Sequence, residues 1–131
     1  MPRISKRVEK QISIKADDAA LQAVVLEALQ EKKAQDLCAV DFKEALEHPL
    51  FDTFIICSAT SRTHAEALCE NVMRRVYEQF HIEPSHAEGR EQSEWILIDY
   101  FNIVVHIFLT EKRHFYDIEG LWNDASIKHY E

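Results

Sequence analysis

The sequence predicts a single α/β domain built on a mixed five-stranded sheet. Two observations carry that prediction. Short apolar runs rich in β-branched and aromatic residues, Phe54–Cys57, Trp95–Ile98 and Ile103–Phe108, are too short for packed helices and read as strands. Segments with apolar residues at helical spacing stand between and beside them, giving the order α-β-β-α-β-β-β-α. At 131 residues with 47% hydrophobic and 29% charged content, the chain can bury one modest core.

Residues 1–16 carry Arg3, Lys6, Arg7, Lys10 and Lys15 against Glu9, a basic segment of net +4 in a chain of net −8, which leaves the remainder at −12. This stretch reads as a flexible tail. It lacks the Arg/Ser pattern of a transit peptide, and no apolar run approaches a membrane span or a signal sequence. Asp17 or Asp18 can cap a helix to about Lys33, with Leu21, Val24, Val25, Ala28 and Leu29 on one face. Asp36–Phe42 reads as a strand, and Lys43–Pro49 as a connector ended by proline.

After the strand at Phe54–Cys57, Ser61 and Thr63 compete to cap a helix running to about Phe80, whose buried stripe is Ala65, Leu68, Cys69, Val72 and Val76. Ser85–Glu88 reads as a short edge strand. The runs at Trp95 and Ile103 are joined by Asp99–Asn102, short enough for a hairpin. Neither run alternates cleanly, so both of their faces are expected to be covered. A last helix starts at Thr110 and carries Phe115, Ile118, Leu121 and Trp122 at helical spacing; the domain spans 17–125, and 126–131 reads as a loose C-terminal tail.

Composition and spacing also bear on chemistry. An acidic body disfavours a broad grip on nucleic-acid phosphates; on a nucleoprotein target, a basic protein is the expected contact. Cys38, Cys57 and Cys69 lack CxxC spacing and read as reduced, buried thiols of a cytosolic protein. A Cys–His nucleophile pair would need Cys57 or Cys69 beside His64 or His106. The seven histidines show no metal-ligand spacing, and no carboxylates cluster for phosphoryl transfer, so no metal or cofactor is expected. Ser58–Ser61 precedes a helix but has neither a glycine nor a P-loop lysine, which favours capping over phosphate binding. If Ile96 and Ile98 share one face of their strand, Trp95, Leu97 and Asp99 share the other. Spacing alone reads the aromatics there, and Tyr116 on the last helix, as core.

Several segments together carry a resemblance: Ala28–Leu37, Phe51–Arg62, Glu88-Gly89, Trp95–Tyr100, Val104–Phe108 and Tyr116–Trp122. In this order and spacing, residues 18–125 resemble the ribosomal silencing factor (Iojap-like) family. The resemblance implies a nucleotidyltransferase-like fold without that fold's catalytic carboxylates. It also implies a cytoplasmic, non-enzymatic translational repressor that binds the large ribosomal subunit through ribosomal protein L fourteen. Bound there, such a protein blocks joining of the small subunit when nutrients are scarce. On this reading the partner-facing residues are Trp95 and Tyr116, with Leu97, Asp99 and Tyr100 beside them. An exposed apolar patch around Trp95 would not stay solvated, so the isolated protein is expected to form a weak homodimer. The competing readings are a divergent nucleotidyltransferase-like enzyme using Ser58–Ser61 and a dimeric adaptor acting off the ribosome. Ala59, Ser93 and Phe101 stand where such relatives usually carry glycine. This accounts for much of the shortage of glycine, of which the chain has 2 against roughly 9 at average usage.

Overall fold

A mixed sheet of six strands, one more than predicted, forms the centre of the fold, in the order β3-β4-β5-β2-β1-β6. The computed structural model describes residues 18–42, 52–116 and 126–131. Its elements are α1 (Asp18–Glu31), β1 (Gln35–Asp41), β2 (Thr53–Ala59), α2 (Arg62–Phe80), β3 (His86–Glu88), β4 (Trp95–Tyr100), β5 (Ile103–Leu109), α3 (Thr110–Tyr116) and β6 (Ser126–Tyr130). Strands β2 and β5 run parallel, with Thr53 opposite Ile103 and Ala59 opposite Leu109; every other pairing is antiparallel.

The additional strand is β6. Residues 126–130, expected to be loose, pair with β1, Leu37 facing Tyr130 and Asp41 facing Ser126. Four of the five side chains of β6 are exposed, so main-chain hydrogen bonding holds this strand more than burial does. A pattern of buried side chains therefore could not announce it. The basic segment 1–16, the connector 43–49 and the part of the last helix beyond Tyr116 lie outside the described residues.

Helix α1 packs on α2, and α2 lies across β2, β4 and β5, so one face of the sheet is buried under the helices. That core holds Leu21, Val25, Leu29, Ile55, Leu68, Val72, Ile96, Ile98, Tyr100 and Val105. The predicted stripe of α2 is buried throughout. Asn71, which the apolar spacing did not flag, is buried with it and ties the helices together: its Nδ2 donates to the Ala28 carbonyl at 2.8 Å and to Glu31 at 3.0 Å. Ser61, not Thr63, caps α2, its Oγ accepting from the His64 amide at 3.0 Å.

The opposite face carries a smaller core of Cys38, Val40, Phe42, Phe54, Ile56, Val104 and Phe108, with Trp95 and Leu97 packed at its margin. Arg113 of α3 reaches this side too, donating to the Asp36 carbonyl and, at 3.0 Å, to Ser58 Oγ. Central β5 is buried along its whole length, as expected for a strand covered on both faces. Strand β4 instead alternates buried and half-buried residues. Its outer neighbour β3 is only three residues long, so β4 lies near the sheet edge and its second face is only half covered.

Candidate partner-binding surface

The alternation of β4 sorts the expected site residues. Trp95, Leu97 and Asp99 are half-buried on the face away from the helices, while Ile96, Ile98 and Tyr100 point into the helix-side core. Tyr100 is fully buried, so it is not part of the same surface as Trp95; a strand side chain one position from Asp99 must face the other way. Tyr116 closes the backbone of α3, and its side chain lies outside the described residues.

Trp95 is fixed from three directions. Its ring stacks on its cross-strand partner Phe108, with centroids 5.1 Å apart at 26°. Its Nε1 donates to His106 Nδ1 at 3.0 Å. Its main chain is set by the preceding loop, in which Gly89 has φ +82°, and a Cβ built there would stand 2.0 Å from the Trp95 carbonyl oxygen. Only glycine permits that approach. The loop closes through Ser93 N donating to Gly89 O at 2.9 Å, with Ser93 left-handed at φ 56°. Beside Trp95 lies an open groove of about 570 Å³ lined by Ala87, Gly89, Arg90, Glu91, Gln92 and Glu94. Glu94 pairs with Arg62 and Arg90 with Glu66.

Asp99 has a local role that spacing did not show. Its Oδ1 accepts from the Phe101 amide at 2.7 Å, while Oδ2 lies 3.8 Å from His86 Nε2. Phe101 takes the left-handed conformation at φ 71°, so the Asp99 carboxylate braces a turn that a bulky residue would otherwise resist. Of the three positions where glycine was expected, Ser93 and Phe101 are left-handed, whereas Ala59 sits in β2 without positive φ.

The alternative catalytic residues are engaged in structural contacts. Ser58 accepts from Arg113, and Ser61 caps α2. His64 Nδ1 accepts from the Thr60 amide at 3.0 Å, so its Nε2 carries the proton donated to the Lys32 carbonyl at 2.7 Å. All three cysteines are buried; burial pushes the Cys57 thiol up to about 12 and the Cys69 thiol to about 11, far from a reactive thiolate. Among the described residues no three His, Cys, Asp or Glu side chains converge as a metal site, and no helix is long and apolar enough to cross a membrane.

A family model described as "Ribosomal silencing factor during starvation" matches residues 15–131. The chain belongs to the ribosomal silencing factor family. It is 33% identical to the ribosomal silencing factor RsfS of Halalkalibacterium halodurans over 105 residues, covering 80% of this chain and 87% of that one. A crystal structure of a Chromobacterium violaceum protein is 31% identical, covers 79% of this chain and 84% of its own, and superposes with a TM-score of 0.74. The chain is also similar to mouse "Mitochondrial assembly of ribosomal large subunit protein 1", at 26% identity over 76% of this chain and 43% of that longer protein. Family membership makes this a ribosome-related regulatory protein.

Proposed function

We propose that this protein silences translation by binding the large ribosomal subunit through ribosomal protein L fourteen and sterically blocking small-subunit joining during nutrient limitation. It acts in the cytoplasm, without catalysis or cofactor. The observation that carries the reading is Trp95: a large aromatic held half-buried on the open face of β4, with Leu97 beside it and Arg90, Glu91 and Glu94 lining the groove next to it. Aromatic anchors of this kind bury much area at little entropic cost and dominate interface energies. A chain of net −8 favours a basic ribosomal protein over bare RNA. The mouse relative, whose name ties it to assembly of a large ribosomal subunit, supports the choice of subunit.

In isolation, the same apolar margin supports a weak two-fold homodimer that competes with subunit binding. Co-sedimentation with purified subunits tests the reading. Trp95→Ala should weaken binding to large subunits by about 2–4 kcal/mol, roughly 30- to 1,000-fold. Tyr116→Lys should weaken it through repulsion from a basic partner. Because Trp95 also stacks on Phe108, the melt of Trp95→Ala should fall modestly while the fold persists. Wild-type binding by Trp95→Ala, or nucleotide transfer lost on mutating Ser61, would refute the proposal.

A further inference from the structure

His106 is out of place by the ordinary logic of cores. It stands in the fully buried strand Ile103-Val-Val-His-Ile-Phe-Leu109 and is itself only 3% exposed. The Phe54 ring lies 4.4 Å from its own, and Phe108 stacks parallel to it at 6.2 Å. Because Nδ1 accepts the Trp95 indole proton, the neutral ring must carry its own proton on Nε2. That Nε2 is buried without a hydrogen-bond partner among the described residues. An unsatisfied buried donor is costly, and a leucine or phenylalanine here would avoid the cost. Burial also holds the ring neutral, pushing its pKa down to about 4. What an apolar residue could not supply is the acceptor for Trp95.

We infer that His106 is a positioning residue for the partner surface: by accepting from Trp95 Nε1 it fixes the indole in the orientation in which it docks. The inference rests on the proposed role of Trp95 as the anchor. Stacking on Phe108 sets the plane of the ring but leaves the indole free to turn over within it; the single N–H, held at 3.0 Å, selects one orientation. Leu97, directly across the ladder from His106, packs at the same margin, so anchor, acceptor and neighbouring apolar contact form one preorganised unit. Preorganisation lowers the ordering cost of association.

The full-length protein and purified large ribosomal subunits provide the test. His106→Leu should fold with an unchanged or raised melting temperature. It should shift the Trp95 Nε1–H resonance and speed its exchange with solvent. Subunit binding should weaken roughly five- to tenfold, the effect of one lost hydrogen bond. His106→Asn, whose Oδ1 can stand where Nδ1 stood, should recover most of the affinity. In a Trp95→Phe background, which has no donor, His106→Leu should cause no further loss. If Trp95→Ala loses binding but His106→Leu binds as wild type, the inference fails and the proposed surface stands. If Trp95→Ala itself binds as wild type, the surface fails and takes the inference with it. If His106→Leu is poorly folded, the Trp95→Phe cycle with His106→Asn decides. A loss that persists without the indole donor overturns a positioning role.

Discussion

Replacing Phe101 by glycine should destabilise the protein, although glycine is what a left-handed turn ordinarily prefers. Phe101 has φ 71°, and relief of that conformation is worth about 1–2 kcal/mol, partly offset by about 0.5–1 kcal/mol of extra backbone entropy in glycine. Against this stands burial. The ring is only 9% exposed and belongs to the helix-side core, where truncating a phenylalanine costs about 3–5 kcal/mol. The packing loss wins, leaving a net destabilisation of about 2–4 kcal/mol. The turn also does more than reverse the chain. The Asn102 carbonyl accepts from the Asp52 amide at 2.7 Å and the Thr53 amide at 3.0 Å, so the hairpin end holds the start of β2. Asp99→Ala removes the brace on the Phe101 amide, so in a double-mutant cycle it should cost the wild type more than it costs the Phe101→Gly variant. Urea denaturation gives the measurement, with a lower midpoint at an unchanged slope. A Phe101→Gly variant as stable as the wild type, or more so, would show that backbone strain outweighs ring burial here.

Gly89→Ala should cost about 2 kcal/mol or more, since its Cβ would overlap the Trp95 carbonyl and the backbone is left-handed; a lower melt with altered Trp95 fluorescence is the expected result. Stability should also depend on pH through His106. Its folded pKa, about 4, is below the ordinary 6.5, so between those values the unfolded chain binds the extra proton. The stabilisation is present above pH 6.5 and falls by about 3 kcal/mol toward pH 4; His106→Leu should show a correspondingly shallower acid limb in equilibrium unfolding. Binding to large subunits should slow as salt is raised, chiefly in the association rate, and a salt-independent rate would count against electrostatic steering toward a basic partner.

What the sequence made legible follows from which side chains carry the structure. Helix α2 and strands β2, β4 and β5 are held by buried apolar groups, so Leu68, Val72, Ile55 and Ile96 announced themselves by spacing. The even-odd division of β4 separated Trp95, Leu97 and Asp99 from Ile96 and Ile98 correctly, and the same rule should have removed Tyr100 from the surface. Strand β6 stayed hidden because its stabilising groups are main-chain N–H and C=O, which every sequence has. His106 and Asn71 could be seen as polar residues in apolar settings, but their partners, Trp95 at 11 residues' separation and Ala28 at 43, exist only once strands and helices have met.

On the proposed reading, function falls on the face of β4 rather than at the strand ends. In open α/β sheets, ligands usually settle outside the carboxyl ends of parallel strands, here Ala59 of β2 and Leu109 of β5. Several polar groups at that point are engaged with one another. The Thr60 amide donates to His64, and Ser61 caps α2. Thr110 Oγ1 donates to the Ala59 carbonyl at 3.1 Å, and Arg62 reaches Glu94. At the surface Arg62 crosses to Glu94, and the Glu94 carbonyl accepts from the Leu109 amide at 3.0 Å immediately before Trp95. The Leu109–Glu94 bond thus ties the carboxyl end of β5 to the start of β4. On the proposed reading, this end of the sheet helps hold the start of β4, from which one well-held aromatic is presented to a protein partner.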